Sequence, residues 1–296
     1  MRNYLIQKQQ TNNFFSPAKV NLSLHVIGQQ PDGLHLLDSL ITFPAIGDSL
    51  SFSNSEKLNL SIIGVTEENL PSTQENLILK SAKLFNKDYV RKILLTKELP
   101  ISSGIGGGSA NAATTIRDAR SLGLDISLND ILDLGSDVLA CLKSQPLRMT
   151  GVGDKLQMIS IWPKTGFIVL VNPRVQLETT KVFSALKQKN NEPMPEFLPD
   201  FCNFRTLVDF IIENRNDLEE TAIKLEPTIY EVLTELKKDK NCLISRMSGS
   251  GATCFGLFEF AEDASEAEHR LRTDFPKWWV ASSKLSICKS ELEPFI

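Results

Sequence analysis

Apolar and polar residues alternate early in the chain, where Val20, Leu22, Leu24 and Val26 interleave with Asn21, Ser23 and His25. A period of two predicts a half-buried β-strand, starting near Phe14 and ended by the Pro-Asp-Gly turn within Gln29 to Gly33. Further strands are expected at 36–43, 50–52, 58–63 and 91–96, so the beginning of the chain is mostly sheet. Glu67 to Gln74 is polar and loop-like, and Leu77, Ile78, Ala82 and Leu84 then fall at near-helical spacing within 76–85. Good helix formers run from about Ser109 to Asp118, and 128–142 reads as one further helix capped by Ser127 or Asn129. Strand-like pieces at 156–161 and 166–171 flank a Trp162-Pro163-Lys164-Thr165 turn, which places a domain boundary between 1–162 and 163–296. Three prolines and mixed charge make 187–200 a mobile surface loop in this reading, followed by helices at 204–213, 217–223 and 227–237. The chain closes strand, turn, strand, helix, strand over 242–247, 253–258, 264–273 and 279–287, a split β-α-β order as in ferredoxin-like domains.

Composition narrows the class. At 296 residues with 42% hydrophobic content, the chain can bury a large core, and its length favours two domains. A net charge of −4 supplies no broad attraction to nucleic acid or anionic lipid, so neither is expected as a partner. No apolar run approaches the roughly eighteen residues of a membrane span. Residues 1–13 lack the apolar core of a secretory signal. The five cysteines, Cys141, Cys202, Cys242, Cys254 and Cys288, are scattered, odd in number and without a C-x-x-C pair. They read as reduced thiols in a cytoplasmic protein, with neither a disulfide framework nor a zinc site.

Candidate chemistry concentrates in Pro100 to Ala113, P-I-S-S-G-I-G-G-G-S-A-N-A-A. Gly104, Gly106, Gly107 and Gly108 precede a helix-forming run, as in a loop whose backbone N–H groups turn toward a phosphate at a helix N-terminus. Gly107 is expected here among the positions that use positive φ. The loop is not a Walker A loop, having no Lys-Ser/Thr pair after its last glycine, and Ser109 stands where a Rossmann fingerprint needs its third glycine. Taken alone, it also has a second reading, an ordinary glycine-rich turn before a helix. In Ser16-Pro17-Ala18-Lys19-Val20-Asn21-Leu22, a lysine and an asparagine share one strand face, which suits either a functional site or a solvated edge. Met247-Ser248-Gly249-Ser250-Gly251-Ala252 offers a second backbone approach to phosphate, or a plain hairpin turn.

Together, in this order, the three stretches resemble the three motifs of the GHMP small-molecule kinases, and the resemblance covers Ser16 to about Phe258. It is strongest to a member acting on a methylerythritol unit carried by cytidine diphosphate, whose opening reads P-A-K-[IVL]-N-L-x-L and then D-G-[YF]-H. Here Pro17-Ala18-Lys19-Val20-Asn21-Leu22-Ser23-Leu24 and Asp32-Gly33-Leu34-His35 occupy those places. The resemblance implies a two-domain α/β (α+β) fold, its N-terminal part like domain 2 of ribosomal protein S5 and its C-terminal part ferredoxin-like. It also implies ATP and Mg2+ as cofactors, a small-molecule alcohol as partner, and a monomer or homodimer.

By the same resemblance, Gly135-Ser136-Asp137-Val138-Leu139 takes the place of the family's G-A-D-V-P segment, making Asp137 the expected general base and Lys19 its cationic partner. Without it, Asp137 reads as a solvated mid-helix aspartate. ATP is expected along Pro100, Gly104, Gly106, Gly107, Gly108, Ser109 and Ala110, with Ser109 a magnesium contact and Asn76 near the nucleoside. The acceptor is expected against Asn21, His35, Phe183 and Asp137; Phe183 alternatively anchors a helix to the core. Three departures, Leu34 for the D-G-Y-H aromatic, Leu139 for proline, and Ala140-Cys141 for aromatics, touch the acceptor side. The competing readings are a GHMP kinase for another alcohol and a nucleotide-binding regulator without catalysis.

Overall fold

A computed structural model describes residues 11–64, 75–101, 103–287 and 292. The expected 67–74 loop and Cys288 lie outside them. The described strands are β1 Asn12–Pro17, β2 Val20–Gln29, β3 His35–Thr42, β4 Gly47–Asn54, β5 Asn59–Gly64, β6 Arg91–Lys97, β7 Leu147–Gly151, β8 Lys155–Met158, β9 Phe167–Asn172, β10 Ile244–Met247, β11 Cys254–Phe258 and β12 Trp279–Lys284. The helices are α1 Leu77–Lys83, α2 Gly107–Ser121, α3 Leu128–Leu134, α4 Ser136–Lys143, α5 Thr179–Ala185, α6 Phe204–Glu213, α7 Glu219–Leu225, α8 Thr228–Lys237 and α9 Ala261–Asp274.

Three four-stranded sheets result: β1-β4-β6-β5, β2-β3-β7-β8 and β10-β11-β9-β12. Only the β5–β6 pair is parallel among these ladders. The third sheet has the strand order expected of a split β-α-β unit and buries both faces. Val169, Val171 and Phe258 pack with α8 and α9, while Ile168, Leu170, Phe255 and Leu257 pack with Phe204, Leu207 and Ile211 of α6.

β1 and β2 are nearly one extended run that changes sheet at Ala18 and Lys19. There the two amides leave their ladders, Ala18 donating to Ile46 O at 2.8 Å and Lys19 to Ile105 O at 2.9 Å. The expectation that β2 is half-buried fails: Asn21, Ser23 and His25 are 2%, 0% and 2% exposed. Their partners come from far along the chain. Asn21 N–H donates to Ser248 Oγ, Ser23 Oγ–H to Met194 Sδ, and His25 Nδ1 meets Glu192 O at 3.0 Å while its Nε2 accepts from Arg215 N–H at 3.4 Å.

The segment expected as a mobile surface loop, 187–200, is therefore a strap with a buried middle. Met194 is 2% exposed. Asp38 Oδ2 accepts its N–H at 2.9 Å, and Arg148, in a buried ion pair with Asp38 at 2.6 Å, donates to the carbonyls of Met194, Pro195 and Glu196. The single helix expected over 128–142 is two helices, because Gly135 takes φ 134°, ψ 142°, a conformation closed to L side chains. Ser127, not Asn129, caps the first of them, in a capping box with Asp130.

Candidate active site

α2 and α4 set the site because each begins at it. α2 can lie close against its neighbours because it is buried on most sides and several of its buried residues, Ala110, Ala112, Ala113 and Ala119, are alanines. Its N-cap is Gly106 at φ 65°, and Gly104 sits at φ 73°, so positive φ belongs to these two glycines. Gly107 opens the helix without positive φ, which corrects the expectation for it. Space gives Gly104 a second reason: a Cβ there would lie 2.6 Å from Gly251 O and 2.8 Å from Ser248 O.

That contact joins the three stretches. The Ser248 hydroxyl accepts from Asn21 N–H at 3.1 Å and donates to Gly104 O at 3.2 Å, and Thr253 N–H donates to Ser103 O at 3.2 Å. The 247–252 segment is thus more than a hairpin turn, since it backs the glycine loop. Asn21 turns its side-chain amide to Ser39 Oγ at 2.7 Å.

Lys19, released at the change of sheet, extends past the loop; a Cβ on Gly106 would sit 3.1 Å from Lys19 Cβ. Its ammonium reaches Asp137 Oδ1 at 2.5 Å, with the two side chains 5% and 37% exposed. Asp137 is in the first turn of α4, not mid-helix, and the pair opens into a cleft of about 680 Å³.

The same cleft is lined by Asn76, Pro100, all four loop glycines and Ser109, and by Asn21 and Phe183. Asn76 also caps α1, accepting Ile78 N–H at 3.0 Å. Phe183 both lines the cleft and packs on the core, so its helix-anchoring reading does not take it away from the cleft. Two expected residues stand apart. Ala110 is 1% exposed and its N–H already donates to Gly106 O at 2.8 Å, which removes it from the phosphate-binding set. His35 is off the cleft lining, with its ring against Phe183 at 4.8 Å. Its Nε2 is enclosed without a hydrogen bond, and burial, then Lys189, holds the imidazole below its usual pKa.

Sequence reasoning missed the support beneath the loop. Lys97 Nζ donates to both oxygens of Asp48, at 3.0 and 2.9 Å, and to Leu99 O at 2.6 Å. Asp48 also accepts Glu98 N–H, Leu99 N–H and Asn111 Nδ2–H. Burial pulls the Lys97 ammonium below the ordinary lysine range, against the opposing pull of Asp48. The available signal was phase: Arg91, Ile93, Leu95 and Lys97 share the buried face of β6, so a charge there demands a partner. Thr179, whose hydroxyl meets Ser250 Oγ at 2.8 Å, lines the cleft and was missed as well.

Comparison with known proteins identifies the family. Residues 76–146 match the family model described as GHMP kinases N terminal domain, and 184–277 that described as GHMP kinases C terminal. A protein of Roseobacter denitrificans named 4-diphosphocytidyl-2-C-methyl-D-erythritol kinase is 43% identical over 277 residues, 92% of each chain. One of the same name from Dinoroseobacter shibae is 45% identical, across 92% of this chain and 94% of that one. The crystal structure of a 4-(cytidine 5'-diphospho)-2C-methyl-D-erythritol kinase superposes with a TM-score of 0.74 at 26% identity, covering 92% of this chain and 99% of that one. A homoserine kinase from Cytophaga hutchinsonii, 18% identical, shares the fold with a TM-score of 0.65 over 96% of this chain and 98% of that one. With its three motifs brought to one cleft and relatives this similar along nearly its full length, the chain belongs to the GHMP kinase family.

Proposed function

We propose that the protein transfers the γ-phosphoryl group of ATP to the 2-hydroxyl of 4-diphosphocytidyl-2-C-methyl-D-erythritol, a step in the supply of isoprenoid precursors. The observation that carries the reading is the Lys19–Asp137 pair opening into the same cleft as the glycine loop. In this reading the loop backbone at 104, 106, 107, 108 and 109 holds the triphosphate. Asp137 takes the proton of the acceptor hydroxyl as its oxygen bonds to the γ-phosphorus, the bond to the β-phosphate oxygen breaks, and ADP leaves. Lys19 orients the carboxylate and offsets charge on the transferred group. The enclosed, unpartnered His35 Nε2 beside Phe183 suits recognition of a base, because a buried polar atom of this kind is normally satisfied by a ligand or water.

Magnesium fits the cleft as a nucleotide-borne ion. Among the described residues no group of three or more His, Cys, Asp or Glu could hold a metal. Ser109 would add a hydroxyl to an ion otherwise bound by phosphate oxygens and water, as this hard cation accepts, and the metal would neutralise phosphate charge. We place the division of the chain at 162/163, between β8 and β9, supported by the gap between the two family matches. We place the protein in the cytoplasm. No helix among the described residues is long and apolar enough to cross a membrane.

Coupled ADP-release assays over a panel of alcohols test the function. Saturable ADP release with the cytidine-linked methylerythritol, and not with homoserine or mevalonate, is expected. Turnover of a different alcohol would move the acceptor assignment within the family, and ATP binding with no turnover on any alcohol would favour a regulator.

A further inference from the structure

Arg117, on the third turn of α2, is partly exposed along its length, but its guanidinium is enclosed and forms no ion pair among the described residues. Its Nη1 donates to Cys141 O at 3.0 Å and to Ser144 Oγ at 3.1 Å, its Nη2 donates to Thr114 Oγ1 at 2.7 Å, and its Nε is buried without a partner. Burying a cation away from any carboxylate is costly, and burial pulls this guanidinium down to about 10, still charged at neutral pH. Its counter-charge is the C-terminal end of α4. Cys141 and Ser144 are the last turn and C-cap of that helix, where unpaired carbonyls concentrate negative potential. Ser144, held at φ 44°, turns its own hydroxyl onto the same Cys141 carbonyl, so serine and arginine converge on one acceptor.

The other end of this eight-residue helix carries Asp137, one turn before Cys141. α2 is a fixed reference for it. The neighbour of Arg117, Asp118, is fully buried and accepts Tyr89 Oη–H at 2.8 Å and Arg91 Nε–H at 3.1 Å, which ties α2 to β6. The N-terminus of α2 is the glycine loop, roughly 15 Å from Arg117 along the helix axis. The planar guanidinium forks between one group on its own helix and two on α4, so it fixes both the separation and the rotation of α4 against α2.

We propose that Arg117 is a positioning residue that locks α4 onto α2 and thereby sets the Asp137 carboxylate against the nucleotide phosphates. It never touches substrate. The proposal rests on the kinase reading above, so every variant is assayed on whichever alcohol the wild type turns over; a wild type that turns over none overturns both. Arg117→Met keeps the volume and removes the fork. ATP-binding stoichiometry counts the folded sites, and kcat is expressed per site. A kcat lower by on the order of 10- to 100-fold, with the ATP KM within about threefold of wild type, is expected from an ångström-scale misplacement of the base. Arg117→Lys, able to reach one carbonyl but not to fork, should recover part of the loss. Ser144→Ala should lose less, because Arg117 keeps its Cys141 and Thr114 partners.

If Arg117→Met does not fold, the same split between kcat and KM must appear in Arg117→Lys and Ser144→Ala, in that order of severity. Turnover per site within twofold of wild type in the folded variants, or an ATP KM that rises as far as kcat falls, overturns the proposal.

Discussion

Asp137 can lose its charge and nearly keep its shape, which makes Asp137→Asn the sharpest single-residue test of the site. The carboxylate is open enough to meet a substrate hydroxyl, at 37% side-chain exposure, yet pinned at 2.5 Å by a lysine that is almost wholly enclosed. Asp137→Asn and Lys19→Met should each lower kcat by about 10²–10⁴-fold, the usual span for a general base, and move the ATP KM far less. Steady-state kinetics at saturating acceptor reads this directly. At this scale legibility depended on contiguity. Lys19, the loop glycines and Ser248–Gly251 lie in compact motifs that carry their chemistry in the sequence itself. Lys97 with Asp48, and Arg117 with Cys141, meet only through the fold, across separations of 49 and 24 residues. Gly107 shows the opposite failure: the motif marked it, but backbone conformation moved the positive-φ requirement to its neighbours.

Elements are placed by their ends, and α4 shows how. Its first residue, Ser136, is overhung by the turn between β7 and β8, where Gly153 sits at φ 94° and a Cβ would fall 2.6 Å from Ser136 Cβ. Gly153→Ala must therefore shift the start of α4 along with Asp137. Gly123→Ala is its control, since Gly123 has a similar φ of 82° but nothing within 4 Å of a Cβ. Both should lose roughly 1–3 kcal/mol of stability through backbone strain, and only Gly153→Ala should also lower kcat. Thermal melts and kinetics on the pair separate the two effects. Apolar periodicity ran unbroken through Gly135, so one helix was expected where glycine dihedrals make two. β7 escaped notice because Arg148, which looks like a solvent-facing break in a five-residue strand, is buried by its pairing with Asp38.

For the whole molecule, the strap of 187–200 and the 215–217 segment lock β2 in place, and His25 reports on that lock. Its Nδ1–H faces Glu192 O and its Nε2 accepts from Arg215 N–H, an arrangement open only to the neutral ring. Burial lowers its pKa below 6.5, with Arg215 adding to the shift and Glu192 O, Asp217 and Asp38 opposing it. The unfolded chain then binds the proton more readily. Stability from this residue is complete above about pH 6.5 and is lost as pH falls from there through the folded pKa. Urea midpoints should drop between pH 7.5 and pH 5.5 in the wild type, and drop less in His25→Gln. Breaking the clamp by Asp38→Asn leaves Arg148 buried without its partner charge and should cost about 3–5 kcal/mol at either pH. The buried polar face of β2 also has a consequence in time. The ribosome makes Asn21, Ser23 and His25 early, but Glu192, Met194, Arg215 and Ser248 emerge on the order of 10–40 s later at usual elongation rates. Through that interval the first strand of the active site waits half-dressed, and a nascent chain stalled midway presents it to chaperones.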